Sequence, residues 1–274
     1  GTLDISQYAE ADFTNAEGSL ADTVNIDVDG TLKLDTSDTV ASLQGSGEVN
    51  ISSGTFTVNQ SSTTSYSGII SGAGSFSKSG SGTLTLSGTN SYTGDTNIND
   101  GTLKITGALS NSTDLIIASD ATLDLQISQQ FSSIDLNGTI SRTAGTSSLN
   151  ISGTSDLGGN VTTTGTQTYT GATTLSASNT LTTSNANISF GSTINSDGRA
   201  RNLTINSGTG ITQFAGIVGG TNGVGDIDIT GALDLDAAIS NASSVAVSLT
   251  SNIGADVTTT GTQGYSGTTT LSGG

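Results

Sequence analysis

The chain has 274 residues, 32% of them hydrophobic and 11% charged, with 38 Gly and no Pro, Cys, Met, Trp or His. Without Cys there are no disulfides or thiolate metal sites, and without His or Cys the usual Ser-His-Asp and Cys-His catalytic arrangements are excluded. A net charge of −17 with 6 basic residues leaves no basic face for nucleic-acid phosphate or an anionic membrane.

Low hydrophobicity with abundant Gly and Ser also describes disordered chains, but those are rich in charge and Pro. Here the Val, Ile and Leu residues fall in short alternating runs, the pattern of β-strands. No apolar run approaches the ~18 residues of a membrane-spanning helix. Residues 1–10 (GTLDISQYAE) lack the basic start and apolar core of a signal peptide. The chain is expected to be a piece of a longer protein.

In chain order, the first signal is GTLDI at Gly1, a Gly turn followed by an alternating strand. The densest acidic run follows: Asp22, Asp27, Asp29, Asp35 and Asp38. Within it Asn25, Asp27, Asp29 and Gly30 occupy the first four key places of a calcium loop, but Thr36 stands where the closing Glu belongs. The better reading is two strands, NIDV and TLKL, joined by an Asp-Gly turn, as recurs at Asn99-Asp100-Gly101. The Gly-plus-strand motif returns as GTLKL at Gly30, GTFTV at Gly54, GTLTL at Gly82 and GTLKI at Gly101, with weaker forms at Ala121 (ATLDL) and Gly231 (GALDL).

An aromatic element runs alongside: SYSG at Ser65, SYTG at Ser91, TYTG at Thr168 and GYSG at Gly264. The segment around Ile127–Ile134 is too short and polar for an amphipathic helix. The clearest repeat is VTTTGTQTYTGATTL at 161–175 against VTTTGTQGYSGTTTL at 257–271, 12 of 15 positions alike at an offset of 96. Residues 86–98 (LSGTNSYTGDTNI) align without a gap to 163–175.

Short strands at regular spacing suggest a sandwich or a barrel, but aromatics are 4%, too few for the core of a sandwich this long. Motif starts 29, 24, 28 and 19 residues apart suit single coils of a β-solenoid. At roughly 22 residues per coil and ~4.8 Å between strands, the chain supplies about 12 coils. Its core is expected to be lined by small and β-branched side chains rather than rings, with apolar ladders built on residues such as Leu103 and Ile105. Gly at the corners permits bends that a Cβ forbids. Strands of four to six residues are expected, in one continuous body with two regions. Residues 1–155 carry the GTLxL-type motifs, and residues 156–274 carry the long repeat with its second copy truncated.

The block SGSGTLTLSGTNSYTGDTNINDGTLKITG at 79–107 resembles the passenger-associated transport repeat of autotransporter proteins. Gly82, Leu84, Leu86, Gly88, Asn90, Tyr92, Thr93, Gly94, Thr96, Ile98, Gly101, Leu103 and Ile105 carry the resemblance. The 96-residue repeat is similar to segments of filamentous-haemagglutinin-like adhesins. The resemblance implies an all-β, right-handed parallel β-helix exported to the surface of a Gram-negative bacterium, by the autotransporter or the two-partner route, and acting in adhesion, biofilm matrix or display.

No residue is assigned a catalytic, cofactor-binding or metal-binding role, and the chain is read as not an enzyme, without cofactors, with calcium kept as a weak alternative. Lys33, Lys78, Lys104, Arg142, Arg199 and Arg201 are scattered and form no convergent cleft. Thr-rich patches at 162–164, 172–174, 258–260 and 268–270 are too irregular for an ice-binding face and read as ladder Thr on strands. Tyr92, Tyr169 and Tyr265 either form a sugar-stacking row or, the favoured reading, pack over a solenoid corner with hydroxyls reaching water. The leading function is an extracellular structural or adhesive module, a stalk, adhesin or biofilm fibre. The alternatives are a self-assembling surface-layer or filament subunit and a polysaccharide-binding or -cleaving β-helix. The partners expected are other copies or neighbouring repeats, with host or biofilm surface ligands. Nucleic acid and membrane insertion by this segment are excluded.

Overall fold

Alternation of apolar and polar residues sets the strands, and Gly, Asn, Asp and Ser set the corners between them. The structure is a computed structural model describing residues 1–14 and 20–273. Among the described residues there is no helix, and the chain is a β-solenoid of parallel strands. It divides into two units: residues 1–131 with 143–145, and residues 132–142 with 146–274.

In the first unit three ladders run side by side. One stacks Thr2–Ile5, Asn25–Val28, Ser42–Gly45, Thr64–Tyr66, Thr83–Leu86, Gly101–Ile105 and Ala121–Leu125. Its inward columns are Leu84–Leu103–Leu123 and Tyr66–Leu86–Ile105–Leu125, all fully buried. The second stacks Glu10–Asp12, Thr31–Leu34, Glu48–Ile51 and Ile69–Ser71. The third stacks Asp38–Val40, Thr55–Asn59, Ser75–Ser79, Thr96–Ile98 and Leu115–Ile117. Each buried column keeps an apolar surface from water while neighbouring coils satisfy its backbone.

The Gly-plus-strand motifs do not all share one column. Those at Gly82, Gly101 and Ala121 stack on one another, whereas the one at Gly30 lies in the second ladder and the one at Gly54 in the third. The motif marks any corner that feeds a strand, and a coil has several. For the same reason Asn25–Val28 and Thr31–Leu34 are not a hairpin around Asp29-Gly30: each pairs in parallel with strands of neighbouring coils.

One run of corner glycines has a steric cause. Gly30, Gly47, Gly68, Gly88 and Gly107 form a column in which a Cβ on each later residue would lie 1.9 to 2.1 Å from the carbonyl oxygen of the one before. The coils approach there so closely that only Gly fits.

In the second unit the inward columns include Ile151–Tyr169–Phe190–Phe214–Leu235–Ile253 and Val161–Leu181–Ile205–Ile229–Val247. Leu203–Phe214 and Val224–Leu235 are each 12 residues long, longer than expected. Two faces of the coil run together there through a register shift between Asn206 and Ile211, so a bulge replaces a corner.

The core also departs from expectation by using rings. Phe56 packs on Phe76 at 6.3 Å between centroids and Phe76 on Tyr92 at 6.0 Å. Tyr169 stacks on Phe190 at 5.0 Å and 16°, and Phe190 packs on Phe214 at 5.6 Å. Few aromatics suffice because stacking puts them in contact.

Candidate functional site

Four polar residues of 76–105, Lys78, Asn90, Tyr92 and Thr96, are buried inside the solenoid. Thr96 follows Phe76 in register and is too short to continue the ring column. Tyr92, from the preceding corner, packs on Phe76 instead. It is fully buried, and its hydroxyl lies 2.7 Å from Thr96 Oγ1, which is 3.2 Å from Thr113 Oγ1. Thr113 in turn donates to the Gly94 carbonyl. Burial pushes the Tyr92 hydroxyl pKa up, opposed by the Thr96 hydrogen bond.

Asn90, 2% exposed, ties three coils together. Its Oδ1 accepts from the Ile70 amide at 3.0 Å, and its Nδ2 donates to the carbonyls of Gly88 at 3.1 Å and Ala108 at 3.2 Å. Gln129, two coils on, bridges to the coil before it in the same way, accepting from the Leu109 amide and donating to the Leu109 carbonyl, each at 3.0 Å. A buried amide that mimics a backbone partner meets the requirement that buried polar groups be paired.

Lys78 stands inside an apolar column, Val40–Val58–Lys78–Ile98–Ile117, and is fully buried. Its ammonium donates to the carbonyls of Ser79 at 2.8 Å, Gly80 at 2.6 Å and Asp100 at 3.2 Å. Gly80 and Gly101 at this corner have φ of +72° and +66°, a conformation that favours Gly. Burial lowers the Lys78 pKa to about 8, with Asp100 pulling the other way. Sequence pattern alone places this lysine as one of several scattered basic residues. Its inward phase in the alternation of SFSKS was the available signal.

The tyrosines are therefore not a surface row. Tyr92 and Tyr169 are fully buried, and their hydroxyls meet Thr96 and Gln167 Oε1 rather than water. Tyr265 is half-buried. The coil is wide enough to take a ring whole, with a polar side chain beside it to pair the hydroxyl.

The acidic run is dispersed by the fold. Asp27 Oδ2 accepts from Gln44 Nε2 at 2.7 Å, and Asp29 Oδ1 accepts from the Ser46 amide and hydroxyl at 3.0 and 2.8 Å. Asp38, 6% exposed, accepts from the amides of Leu20 and Thr39, each at 2.9 Å. Among the described residues no group of three or more Asp or Glu is placed to hold a metal ion. A groove beside the glycine column is lined by Tyr8, Glu10, Asp29, Glu48 and Ile69. Its carboxylates are engaged: Glu10 pairs with Lys33 at 2.9 Å, and Glu48 accepts from Ser71 at 2.6 Å.

Arg201 holds Asp197 at 2.6 Å and keeps its carboxyl down at about 2. Lys104 lies in register between Thr85 and Asp124. In the Thr-rich patches Thr163 and Thr173 point inward and are buried, while Thr162 and Thr182 pair in register outside.

Residues 76–105 match the family model of the passenger-associated-transport-repeat, the stretch that contains Lys78, Asn90, Tyr92 and Thr96. The match is consistent with an autotransporter passenger domain. No curated protein and no solved structure matches the chain.

Proposed function

Taking the passenger-associated transport repeat at residues 76–105 as premise, we propose that this chain is a segment of an exported bacterial surface protein. Its task is length, rigidity and display, as the stalk of an adhesin or a biofilm fibre, rather than catalysis. The observation that supports this most is where the repeat's own residues go. Asn90, Lys78 and Thr96 are buried and hydrogen-bonded to neighbouring coils, and Tyr92 is buried with its hydroxyl on Thr96. These four side chains build the coil from within.

Export fits the same physics. A chain without Cys carries no disulfide that must stay open during passage through a pore. Each coil is templated by its neighbour, so folding can propagate from one end. A net charge of −17 keeps the folded product soluble.

The test is to place the full chain between an export signal and an outer-membrane translocator in a Gram-negative host and label intact cells. Surface labelling that external protease removes is the expected result. Retention inside the cell would contradict the export reading. Release of reducing sugar from a polysaccharide panel by the purified chain would contradict the non-catalytic reading.

A further inference from the structure

The corner between the first and second ladders takes two residues in three successive coils: Asp29-Gly30, Ser46-Gly47 and Ser67-Gly68. In the coil of Thr2–Ile5 and Glu10–Asp12 the same corner takes four, Ser6 to Ala9, although both strands keep register with the next coil. The extra residues form a projecting turn, closed by the Ala9 amide on the Ser6 carbonyl at 2.8 Å. Tyr8 stands at its tip, 95% exposed. Its exposure follows from the length of this turn. Tyr8 also has a φ of +71°, a conformation that bulky side chains rarely adopt and that costs stability. The ring is open to solvent, so packing does not offset that cost.

The turn overhangs an open trough of about 570 Å³, within the roughly 300–1,000 Å³ of small-molecule sites. Its lining runs from Tyr8 across the corner glycines to Ile69, with Asp29 and Glu48 beside them. Ile69 is 45% exposed. Asp29 uses Oδ1 for the Ser46 amide and hydroxyl, and Glu48 uses Oε1 for Ser71. Asp29 Oδ2 and Glu48 Oε2 have no partner among the described residues.

The chemistry of the lining selects among ligands. An extended peptide needs free main-chain groups, and those of this corner are taken. The Gly30 and Gly47 amides donate to the Ile5 and Val28 carbonyls at 2.8 and 2.7 Å, and their carbonyls accept from the Glu48 and Ile69 amides at 2.8 and 3.0 Å. An anion finds no counter-charge: the lining has no Lys or Arg, and its Glu10 already holds Lys33 at 2.9 Å. An uncharged sugar chain fits both surfaces. The apolar face of a pyranose stacks on an exposed aromatic ring, and its hydroxyls donate to carboxylate oxygens.

We infer that the trough formed by Tyr8, Asp29, Glu48 and Ile69 is a binding site for an uncharged linear oligosaccharide, with Tyr8 as its stacking platform. The strained turn is kept because it holds the ring out over the trough. The inference stands on this trough alone and does not depend on the export reading.

The test titrates the full chain and its Tyr8→Gly variant with maltohexaose, cellohexaose and laminarihexaose, and with hexagalacturonate as the charged probe. Binding is read from the NMR shifts of the Tyr8, Ser46, Gly47 and Ile69 amides. Tyr8→Gly removes the ring at a φ that Gly accepts, so its urea midpoint should be no lower than the parent's. Saturable shifts with at least one uncharged hexasaccharide are expected, with affinity at least about tenfold weaker in Tyr8→Gly and no shifts with hexagalacturonate. Silence with all three uncharged probes, equal affinity in the two proteins, or equally tight binding of hexagalacturonate would overturn the inference. A lower urea midpoint in Tyr8→Gly would make Tyr8 a packing residue and would also overturn it.

Discussion

Gly88 lies against Gly68 so closely that a Cβ on Gly88 would stand 1.9 Å from the Gly68 carbonyl oxygen. The glycine column is therefore a packing contact between coils and not a loose hinge. Gly88→Ala is expected to destabilise the chain by about 2 kcal/mol or more, because the overlap is with backbone and cannot be relieved by a rotamer change. Gly264 is the control: nothing lies within 4 Å of its would-be Cβ, and the first copy has Thr168 there. Gly264→Thr is expected to change stability by less than about 0.5 kcal/mol. Urea midpoints of the two variants check the contrast, and equal effects would contradict it.

The Tyr92, Thr96 and Thr113 hydroxyls form a buried chain, so they should act as a unit. Tyr92→Phe is expected to cost about 1 kcal/mol, since it strands part of the Thr96 bonding capacity, and Tyr92→Ala about 3–5 kcal/mol. Thr96→Val added to Tyr92→Phe should cost less than Thr96→Val does alone. Denaturant titrations of the parent, the two single variants and the double variant close the cycle, and strict additivity would show that the hydroxyls are not coupled.

Lys78 gives stability a pH signature. Burial holds its pKa at about 8, below the 10.5 of a free lysine. Between those values the unfolded chain holds a proton that the folded chain has released, so stability rises with pH across that window and the gain is lost as pH falls through 8. The hydroxyls of Tyr66, Tyr92 and Tyr169 are pushed by burial above their ordinary 10.0. Above pH 10 the unfolded chain loses protons that the folded chain keeps, and stability falls. A rising limb and then a falling limb are expected in urea midpoints between about pH 7 and 11. Lys78→Met should flatten the rising limb alone; a rising limb that survives in Lys78→Met would be due to another group.

Much of the fold was legible in the residues. Alternation in GTLTL and GTLKI marked Leu84, Leu86, Leu103 and Ile105 as inward, and they stack in register. The ring columns were not legible, because composition counts aromatics without saying that Phe56 and Phe76 fall on partner positions one coil apart. The tyrosines were misplaced at the surface for a related reason: a Tyr beside turn residues ordinarily snorkels, and only the fold shows Thr96 and Gln167 waiting inside. Pairing between ladders was also hidden, since the Gly-plus-strand motif looks the same at Gly30, Gly54 and Gly82 although each feeds a different ladder.

Parallel in-register stacking is the claim on which the rest depends, and spin labelling tests it most directly. The chain has no Cys, so Cys introduced in pairs at Ser65, Thr85 and Lys104, which follow one another in register, can be labelled cleanly. The backbone separation should be about 5 Å for 65/85 and 85/104 and about 10 Å for 65/104. Strong spin–spin broadening in the two adjacent pairs, weaker in the outer pair and absent in 85/97 on another ladder, is the result expected. Broadening absent from the adjacent pairs, or equal in all four, would contradict the stacked coil.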